Sequence, residues 1–432
     1  MKRSFYKKLI LPLITIALIS GCKKDNSSEG FVPKYDSDTE FSVSIVGNYA
    51  NFESLEAEIE RFSEYYPNAN VEFTFLDNYN KTIQTTLSSD DQPDIYFTML
   101  WMKGRSEYEI IFDKAENLSD PSLNIDTSCI RQDLCWTNDS GDLIEIPIFT
   151  TSYGMLVNTD IFDKEGLEIP STYTELMEVC AALQKSGYES PIMGYNGQST
   201  SAGLFHTYAY PMYCYDVMNN PDSLQDLNNL VSSAGEIMRP TLQRFYDFIN
   251  SGYIDIDKCT DEIENSYDAV IMRFFEGDVP MMLCTGDVIS GTAKRESKSD
   301  AFTANPFDYK FYTVPVTDDG GFFLNAVTVA FSVNKDSANL DYANEFMRFI
   351  TSEEELGNMS ELKRLITPTN NFTLDKVYQS LADVPEERRI SKTKLGLLDV
   401  AVIEFRTALY KVSTGELTID EAVSLYGQLQ EN

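Results

Sequence analysis

Strand and helix signals alternate along residues 41–98, and this order restricts the possible fold more than any other feature of the chain. The strand-like stretches alternate apolar and polar residues, whereas the stretches between them place apolar residues at helical spacing. A βαβαβ order implies a parallel sheet covered by helices, with ligand sites at the carboxyl ends of its strands. The segments are strand 41–46, a helix from residue 52 to Tyr66, strand 71–75, helix 80–88 and strand 94–97.

Local signals predict further elements along the chain. Asn51 is expected to cap the first helix, and Thr172 with Glu175 forms a capping box for a helix that runs to about Lys185. Residues 221–252 are predicted to be helical, as is nearly all of the tail from about 353 to 432. From residue 41 onward the chain has about 400 residues, which is too many for one average core, so an α/β protein of two domains is expected.

The N-terminal segment has the composition of an export signal. Basic residues at positions 2–8 precede the apolar run Leu9–Ile19, which is shorter than the roughly 20 residues of a membrane-spanning helix. The run ends in Ser20-Gly21-Cys22, which resembles the lipobox of bacterial lipoproteins. That resemblance implies cleavage after residue 21 and a lipid on Cys22; the alternative is an ordinary secretory peptide. Residues 22–40 are rich in Ser, Asp and Lys and are expected to form a flexible tether.

Composition and missing motifs restrict the function. The net charge of −34 argues against nucleic acid partners and against anionic ligands bound by general electrostatics. His206 is the single histidine and no CxxC motif occurs, so no metal site is predicted. No GxSxG, GxGxxG or P-loop motif occurs either, so neither an enzyme nor a cofactor is expected.

Five segments carry short motifs in a specific order and spacing, and together they extend over most of residues 41–350. They resemble the family 1 extracellular solute-binding proteins, which are the sugar receptors of ABC importers typified by maltose-binding protein. The segments are Tyr66-Pro67-Asn68 after the first helix; Gln92-Pro93-Asp94-Ile95; the stretch from Ile146-Pro147 through Tyr153-Gly154 to Pro170-Ser171-Thr172; Phe274 to Gly277 with Met281-Met282; and Val314-Pro315 with Ala343 to Ile350.

The resemblance implies a two-lobed, type II periplasmic-binding-protein-like fold with each lobe a sheet flanked by helices. Lobe 1 is expected to comprise residues 41–149 and 315–350, and lobe 2 residues 150–314 and 351–432. The solute would bind in the cleft between the lobes and would be retained by hinge closure. The implied protein is a monomer on the outer face of the cytoplasmic membrane, held by its lipid, that delivers a solute to ABC permease subunits.

A sugar has apolar ring faces and many hydroxyl groups, so its site needs aromatic side chains together with amide or carboxylate partners. Many sugar-binding members of the family carry a tryptophan after the glycine that matches Gly286, whereas this chain has Asp287. An acidic residue there can accept hydrogen bonds from sugar hydroxyls or pair with an amine, so a neutral or mildly cationic saccharide is expected, with polyamine or peptide solutes as an alternative. Two further alternatives are a receptor for a sensor kinase and a lipid-anchored carbohydrate-active enzyme. The predicted ligand-binding residues are Asn48, Tyr49, Trp101, Tyr153, Asp287, Asn325 and His206, the last of which has a structural role as its alternative.

Overall fold

The structure is a computed structural model that describes residues 30–194, 205–255, 267–371 and 375–430. Cys22 and the predicted signal segment lie outside the described residues. Of the predicted tether, Lys34 and Tyr35 pack against the body of the protein: the Lys34 amide donates to Glu345 Oε1 at 2.8 Å, and the Tyr35 ring lies 5.2 Å from that of Tyr342. None of the helices in the described ranges combines the length and the apolarity needed to cross a bilayer.

The first sheet has six strands in the order β10-β9-β3-β1-β2, with β4 paired to β9. Strand β1 runs parallel to both β2 and β3, so the βαβαβ prediction is confirmed, and β9 is antiparallel to β3. The strands are β1 (Phe41–Gly47), β2 (Ala69–Phe75), β3 (Ile95–Thr98), β4 (Ile146–Thr151), β9 (Phe323–Val333) and β10 (Arg389–Ser391).

The second sheet has four strands in the order β6-β7-β5-β8. Alternate residues of its strands enter two different cores: Met155 packs in a large cluster on one face, whereas Leu156 packs in a smaller cluster on the other. Both faces are therefore covered, as expected of a central sheet in an α/β lobe. The strands are β5 (Tyr153–Asn158), β6 (Ile192–Met193), β7 (Met281–Thr285) and β8 (Tyr309–Tyr312).

The chain passes between the sheets where β4 ends and β5 begins, with only Ser152 between the two strands. A second passage lies between β8, in the second sheet, and β9, in the first. The lobe boundaries predicted from the sequence stay a prediction. Helix Glu353–Lys363 packs against helix Glu53–Tyr65 and strand β4 of the first sheet, and β10 pairs with the beginning of β9.

Sixteen α-helices surround the sheets in the described ranges. They are α1 (Glu53–Tyr65), α2 (Tyr79–Leu87), α3 (Glu109–Asp113), α4 (Thr159–Glu165), α5 (Tyr173–Lys185), α6 (Tyr210–Met218), α7 (Leu224–Asn228), α8 (Arg239–Ile249), α9 (Tyr267–Phe274), α10 (Thr292–Lys298), α11 (Asp300–Ala304), α12 (Leu340–Ile350), α13 (Glu353–Lys363), α14 (Lys392–Leu395), α15 (Asp399–Ser413) and α16 (Ile419–Ser424).

Several local predictions are confirmed and others are wrong. The capping box of Thr172 and Glu175 is present at the start of α5. Asn51 does not cap α1, because its side chain donates to Glu53 Oε1 instead. The helix predicted over 221–252 is broken into shorter pieces near Leu230, which has a positive φ of 56°. The tail from about 353 to 432 is also less helical than predicted, since it includes the strand β10.

Candidate ligand-binding site

Tyr49 and Asn48 lie in the loop that follows β1. The Tyr49 ring packs edge-on against Phe52, with 5.1 Å between ring centroids, and Lys363 Nζ lies 5.2 Å from the Tyr49 centroid. Tyr49 is half-buried, whereas Asn48 is exposed. Burial raises the pKa of the Tyr49 hydroxyl, and the nearby carboxylate of Asp287 raises it further. Tyr49 and Asp287 are therefore neighbours, although they follow strands of different sheets.

Asp287 lies in a short 3₁₀ helix, Gly286–Gly291, directly after β7. Its side chain reaches the surface of the protein. The surrounding protein nevertheless weakens the solvation of the carboxylate and raises its pKa to about 6, although a hydrogen bond with Thr151 acts to lower this pKa. The carboxylate also acts electrostatically on Tyr153. The structure thus brings Tyr49, Tyr153 and Asp287 together at one place.

Gly286 fixes the position of this acidic residue. Its amide donates to the Ser152 carbonyl at 2.9 Å, and its own carbonyl accepts a 2.6 Å hydrogen bond from the Tyr378 hydroxyl. A Cβ atom at this position would lie 2.8 Å from Thr151 Oγ1, which is closer than real contacts of that kind. A glycine is therefore required for the loop to approach the β4–β5 passage so closely.

Trp101 lies in the loop after β3 and is half-buried. Its ring meets that of Tyr108 edge-on at 5.4 Å, and the guanidinium carbon of Arg105 lies 5.3 Å from its centroid. Arg105 in turn forms an ion pair of 2.7 Å with Asp399 in α15. The tryptophan is thus held between an aromatic ring and a cation and keeps part of its surface accessible for stacking.

Tyr153 opens β5 and is largely buried. Its ring packs edge-on against Tyr210 at 5.3 Å. Burial raises the pKa of its hydroxyl, while the charge of Arg406 in α15 acts in the opposite direction. The Tyr153 hydroxyl is therefore within electrostatic range of Asp287 and of two charged residues of α15, Asp399 and Arg406.

Two predicted residues are placed differently. Asn325 is 1 % exposed, and its amide nitrogen lies 3.3 Å from Thr150 Oγ1, so it is enclosed between β9 and β4. Its Oδ1 has no hydrogen-bond partner in the described part of the chain. His206 belongs to the π-helix Phe205–Ala209, but its side chain lies outside the described residues.

Sequence reasoning missed four charged residues near Tyr153. Asp399 and Arg406 are seven residues apart on α15, which places them two turns apart on one face of the helix. Lys392, at the start of α14, lies with its Nζ 5.6 Å from the Tyr210 ring centroid. Arg105 completes the group through its ion pair with Asp399. The seven-residue spacing of Asp399 and Arg406, in a helix with a buried apolar face, was the available signal.

A separate cavity of about 920 Å³ lies beside β8 and is lined by residues that include Glu296, Tyr309 and Arg364. These three already bond to protein partners: Tyr309 donates to Glu296 at 2.6 Å, and Arg364 donates to Thr292 Oγ1 at 2.6 Å. None of the predicted ligand residues with a described side chain lines this cavity. Within the described ranges, no cluster of three or more His, Cys, Asp or Glu residues is arranged to hold a metal ion.

The sequence profile of the bacterial extracellular solute-binding proteins matches residues 47–356 of this chain, well over half of its length. The chain belongs to this family, which agrees with the resemblance inferred from its motifs. As the family's description states, its members are extracellular, so the protein is exported. Among curated protein sequences, none matches the chain significantly.

Solved structures of this family share the fold. The apo form of RafE from Streptococcus pneumoniae is 16 % identical, with a TM-score of 0.67, 92 % of this chain covered and 100 % of that chain. A chitin oligosaccharide binding protein is 13 % identical, with a TM-score of 0.68, 90 % of this chain covered and 98 % of that one. The GacH receptor of Streptomyces glaucescens is 16 % identical, with a TM-score of 0.66 and coverages of 90 % and 97 %. The two-lobed α/β fold predicted from the sequence is therefore confirmed.

Proposed function

We propose that this protein is the lipid-anchored substrate-binding component of an ABC importer, which captures a carbohydrate between its lobes and delivers it to a membrane permease. The observation that carries the proposal is the convergence of Tyr49, Tyr153 and Asp287, which come from both sheets. Aromatic rings beside a carboxylate are suited to a ligand with apolar ring faces and hydroxyl groups. No step of bond making or breaking is required of these residues.

The structural neighbours support a sugar as the solute. RafE has been solved with raffinose, a sugar transporter protein from Bacillus licheniformis with stachyose, and GacH with acarbose. These ligands belong to those proteins, and low sequence identity limits the likeness to the fold. For this chain, the sugar is inferred from the family and from the aromatic and acidic residues that meet at the β4–β5 passage.

The ligand-binding residues proposed for this chain differ in how much of each side chain is exposed to solvent. Tyr49, Trp101 and Asp287 have accessible side-chain surface and would contact the solute directly. Tyr153 is largely buried, so it would contribute its edge, supported from behind by Tyr210. Asn325 would act from the interior by holding strands β9 and β4 together. His206 stays a proposed ligand-binding residue, as predicted from the sequence.

A screen of the exported domain by thermal shift, followed by calorimetry, tests the proposal. Oligosaccharides, polyamines and peptides are compared, and only saccharides are expected to raise the melting temperature in a concentration-dependent way. Incubation of bound oligosaccharides with the protein should return them unchanged. Stabilisation by polyamines or peptides alone would contradict the carbohydrate assignment. Cleavage of the sugar would show that the protein is an enzyme and not a receptor.

The lipid anchor and the permease are tested separately. Metabolic labelling with a radioactive fatty acid in a bacterial host should label the wild-type protein but not Cys22→Ala, which would be released or remain unprocessed. Adjacent permease genes in the chromosome would favour import, whereas an adjacent histidine kinase gene would favour a sensory receptor.

A further inference from the structure

The segment after β3, residues 99–108, carries Trp101 and contacts the beginning of α15; it is called the Trp101 loop below. In this loop the guanidinium carbon of Arg105 lies 5.3 Å from the centroid of the Trp101 ring. The same guanidinium forms a 2.7 Å ion pair with Asp399, and both charged side chains are largely shielded from solvent. Trp101, a proposed ligand residue, is therefore linked to α15 through one charged side chain.

A second contact between the Trp101 loop and α15 lies beside this ion pair. The backbone of Gly104 approaches Leu398 so closely that a Cβ atom at position 104 would lie 3.0 Å from Leu398 Cδ1. That distance is shorter than ordinary contacts of a Cβ atom, so a larger residue would force the loop and the helix apart. The loop therefore meets the start of α15 through packing as well as through charge.

The two partners of the ion pair are attached to different parts of the fold. Leu398, directly before Asp399, donates its amide to Asn228 Oδ1 at 2.8 Å, and Phe405 of the same helix is fully buried in the core on one face of the second sheet. Arg105 instead follows β3 of the first sheet. On the predicted lobe boundaries, Arg105 belongs to lobe 1 and Asp399 to lobe 2, so the ion pair connects the lobes.

Each partner also has a weaker partner of its own. The carboxylate of Glu107 lies 3.7 Å from Arg105, but Glu107 is more than half exposed, and such pairs contribute little. Because Glu107 is only two residues from Arg105 in the same loop, it moves with the arginine and does not connect the loop to α15. Asp399 in turn interacts with the charge of Lys392. A hinge motion that separates Arg105 from Asp399 therefore leaves neither of them without a counter-charge, which keeps the opening of this ion pair reversible.

We propose that Arg105 and Asp399 are positioning residues, whose ion pair holds the Trp101 loop against α15 and thereby favours the arrangement of the lobes that binds the solute. This inference rests on the proposed function and adds two residues that act on the solute through Trp101. The apparent dissociation constant of a receptor varies inversely with the fraction of molecules that are competent to bind. Loss of the ion pair lowers this fraction and so weakens binding, although neither charged residue has to touch the solute.

Titration calorimetry with the tightest-binding saccharide of the thermal-shift screen measures the effect on affinity. Arg105→Gln and Asp399→Asn should each weaken binding about fivefold or more, as expected when a shielded hydrogen bond between charged groups is lost. The double variant should bind no more weakly than the single variants, because both substitutions break the same ion pair. Arg105→Lys keeps the positive charge and should bind more tightly than Arg105→Gln. Arg239→Gln, which breaks the exposed ion pair with Asp420, is the matched control and should keep the wild-type affinity.

The fluorescence of Trp101 provides a second readout, which needs no ligand. The chain has two tryptophans, so Trp136→Phe leaves Trp101 as the single fluorescent indole. In this background Asp399→Asn should increase the quenching of Trp101 by acrylamide about twofold or more, because the guanidinium is no longer held over the ring. Arg239→Gln in the same background should leave the quenching unchanged. Circular dichroism verifies that each variant is folded at the temperature of the measurement.

The failure of the positioning role and the failure of the proposed function give different results. Wild-type affinity in Arg105→Gln and Asp399→Asn would overturn the positioning role and leave the proposed function standing. Losses that multiply in the double variant would show that the two residues act separately, and would overturn it as well. If no saccharide binds the wild type, the proposed function itself is wrong. The quenching of Trp101 still decides in that case whether the ion pair holds the loop, and unchanged quenching in Asp399→Asn would show that it does not.

Discussion

The guanidinium of Arg105 and the carboxylate of Asp399 form an ion pair with 2.7 Å between their closest atoms. Arg105 belongs to the loop after β3 in the first sheet. Asp399 begins α15, whose residues Ala401 and Phe405 pack in the core of the second sheet. The side chains are 24 % and 10 % exposed, so the pair is shielded from much of the solvent. One ion pair thus joins the loop of one sheet to the helix that covers the other.

We predict that Asp399→Asn destabilises the protein more than Arg105→Gln does. Without Asp399, Arg105 keeps only the more distant carboxylate of Glu107, 3.7 Å away, whereas without Arg105 the Asp399 carboxylate still interacts with the charge of Lys392. Urea unfolding of the two single variants and the double variant should give a coupling energy of about 0.5–3 kcal/mol. The same cycle on the exposed pair Arg239 and Asp420 should give less than about 1 kcal/mol. Equal coupling in both cycles would contradict this prediction.

The elements predicted correctly are those that short stretches of sequence determine. The alternation in β1 and the capping box of Thr172 with Glu175 depend on neighbours a few residues away, and both are present. The break near Leu230 could not be predicted, because an apolar residue with positive φ is set by tertiary packing and not by local preference.

The candidate site was predicted only in part, for a similar reason. Tyr49 and Asp287 follow strands, and the ends of strands are where ligands bind in α/β folds, so position along the chain located them. Lys392 and Arg406 lie in helices far along the chain, and only folding brings them beside Tyr153. Asn325 was expected to face the ligand, but a strand in the middle of a sheet has both faces covered, and its side chain is enclosed.

We predict that Trp101→Ala weakens binding of the saccharide about tenfold or more without unfolding the protein. The half-buried ring is the aromatic surface available in the loop after β3, and stacking on a sugar depends on that surface. The matched control is Trp136→Ala, because Trp136 packs against Phe112 at 4.9 Å and supports structure instead. The control should lower the melting temperature and leave the affinity unchanged. Titration calorimetry with the tightest-binding saccharide measures the affinities of the two variants, and differential scanning calorimetry measures their melting temperatures. Unchanged affinity in Trp101→Ala would exclude this residue from the site.

We predict that Glu145→Gln makes stability less dependent on pH. Glu145 is fully buried, neither carboxylate oxygen has a hydrogen-bond partner among the described residues, and burial raises its pKa to about 8. The folded state therefore keeps a proton that the unfolded chain loses above its ordinary pKa of 4.5. As a result, the contribution of Glu145 to the free energy of unfolding is greatest below that pKa and falls as the pH rises to about 8.

Urea unfolding of the wild type and Glu145→Gln at a series of pH values measures this effect. Relative to the wild type, the variant should gain stability steadily from about pH 4.5 to about pH 8, with a total gain of about 1 kcal/mol or more. The positive charge of Lys103 opposes the shift, so Lys103→Met should extend the fall in stability to higher pH. A constant difference between Glu145→Gln and the wild type would show that the carboxyl group does not titrate in this range.

We predict opposite effects for two glycine-to-alanine substitutions. In Gly286→Ala, the new methyl group would approach Thr151 Oγ1 to 2.8 Å and the Tyr378 ring to 3.3 Å, so both must shift, at a cost of about 1–3 kcal/mol. The shift would also displace Asp287 and weaken saccharide binding. In Gly357→Ala, inside α13, the methyl group meets no atom within 4 Å, and the higher helix propensity of alanine should stabilise the protein by about 0.5–1 kcal/mol. Urea unfolding and calorimetry of both variants measure these effects. Wild-type stability and affinity in Gly286→Ala would contradict this prediction. It would show that Asp287 is positioned by something other than the close approach of its loop to the β4–β5 passage.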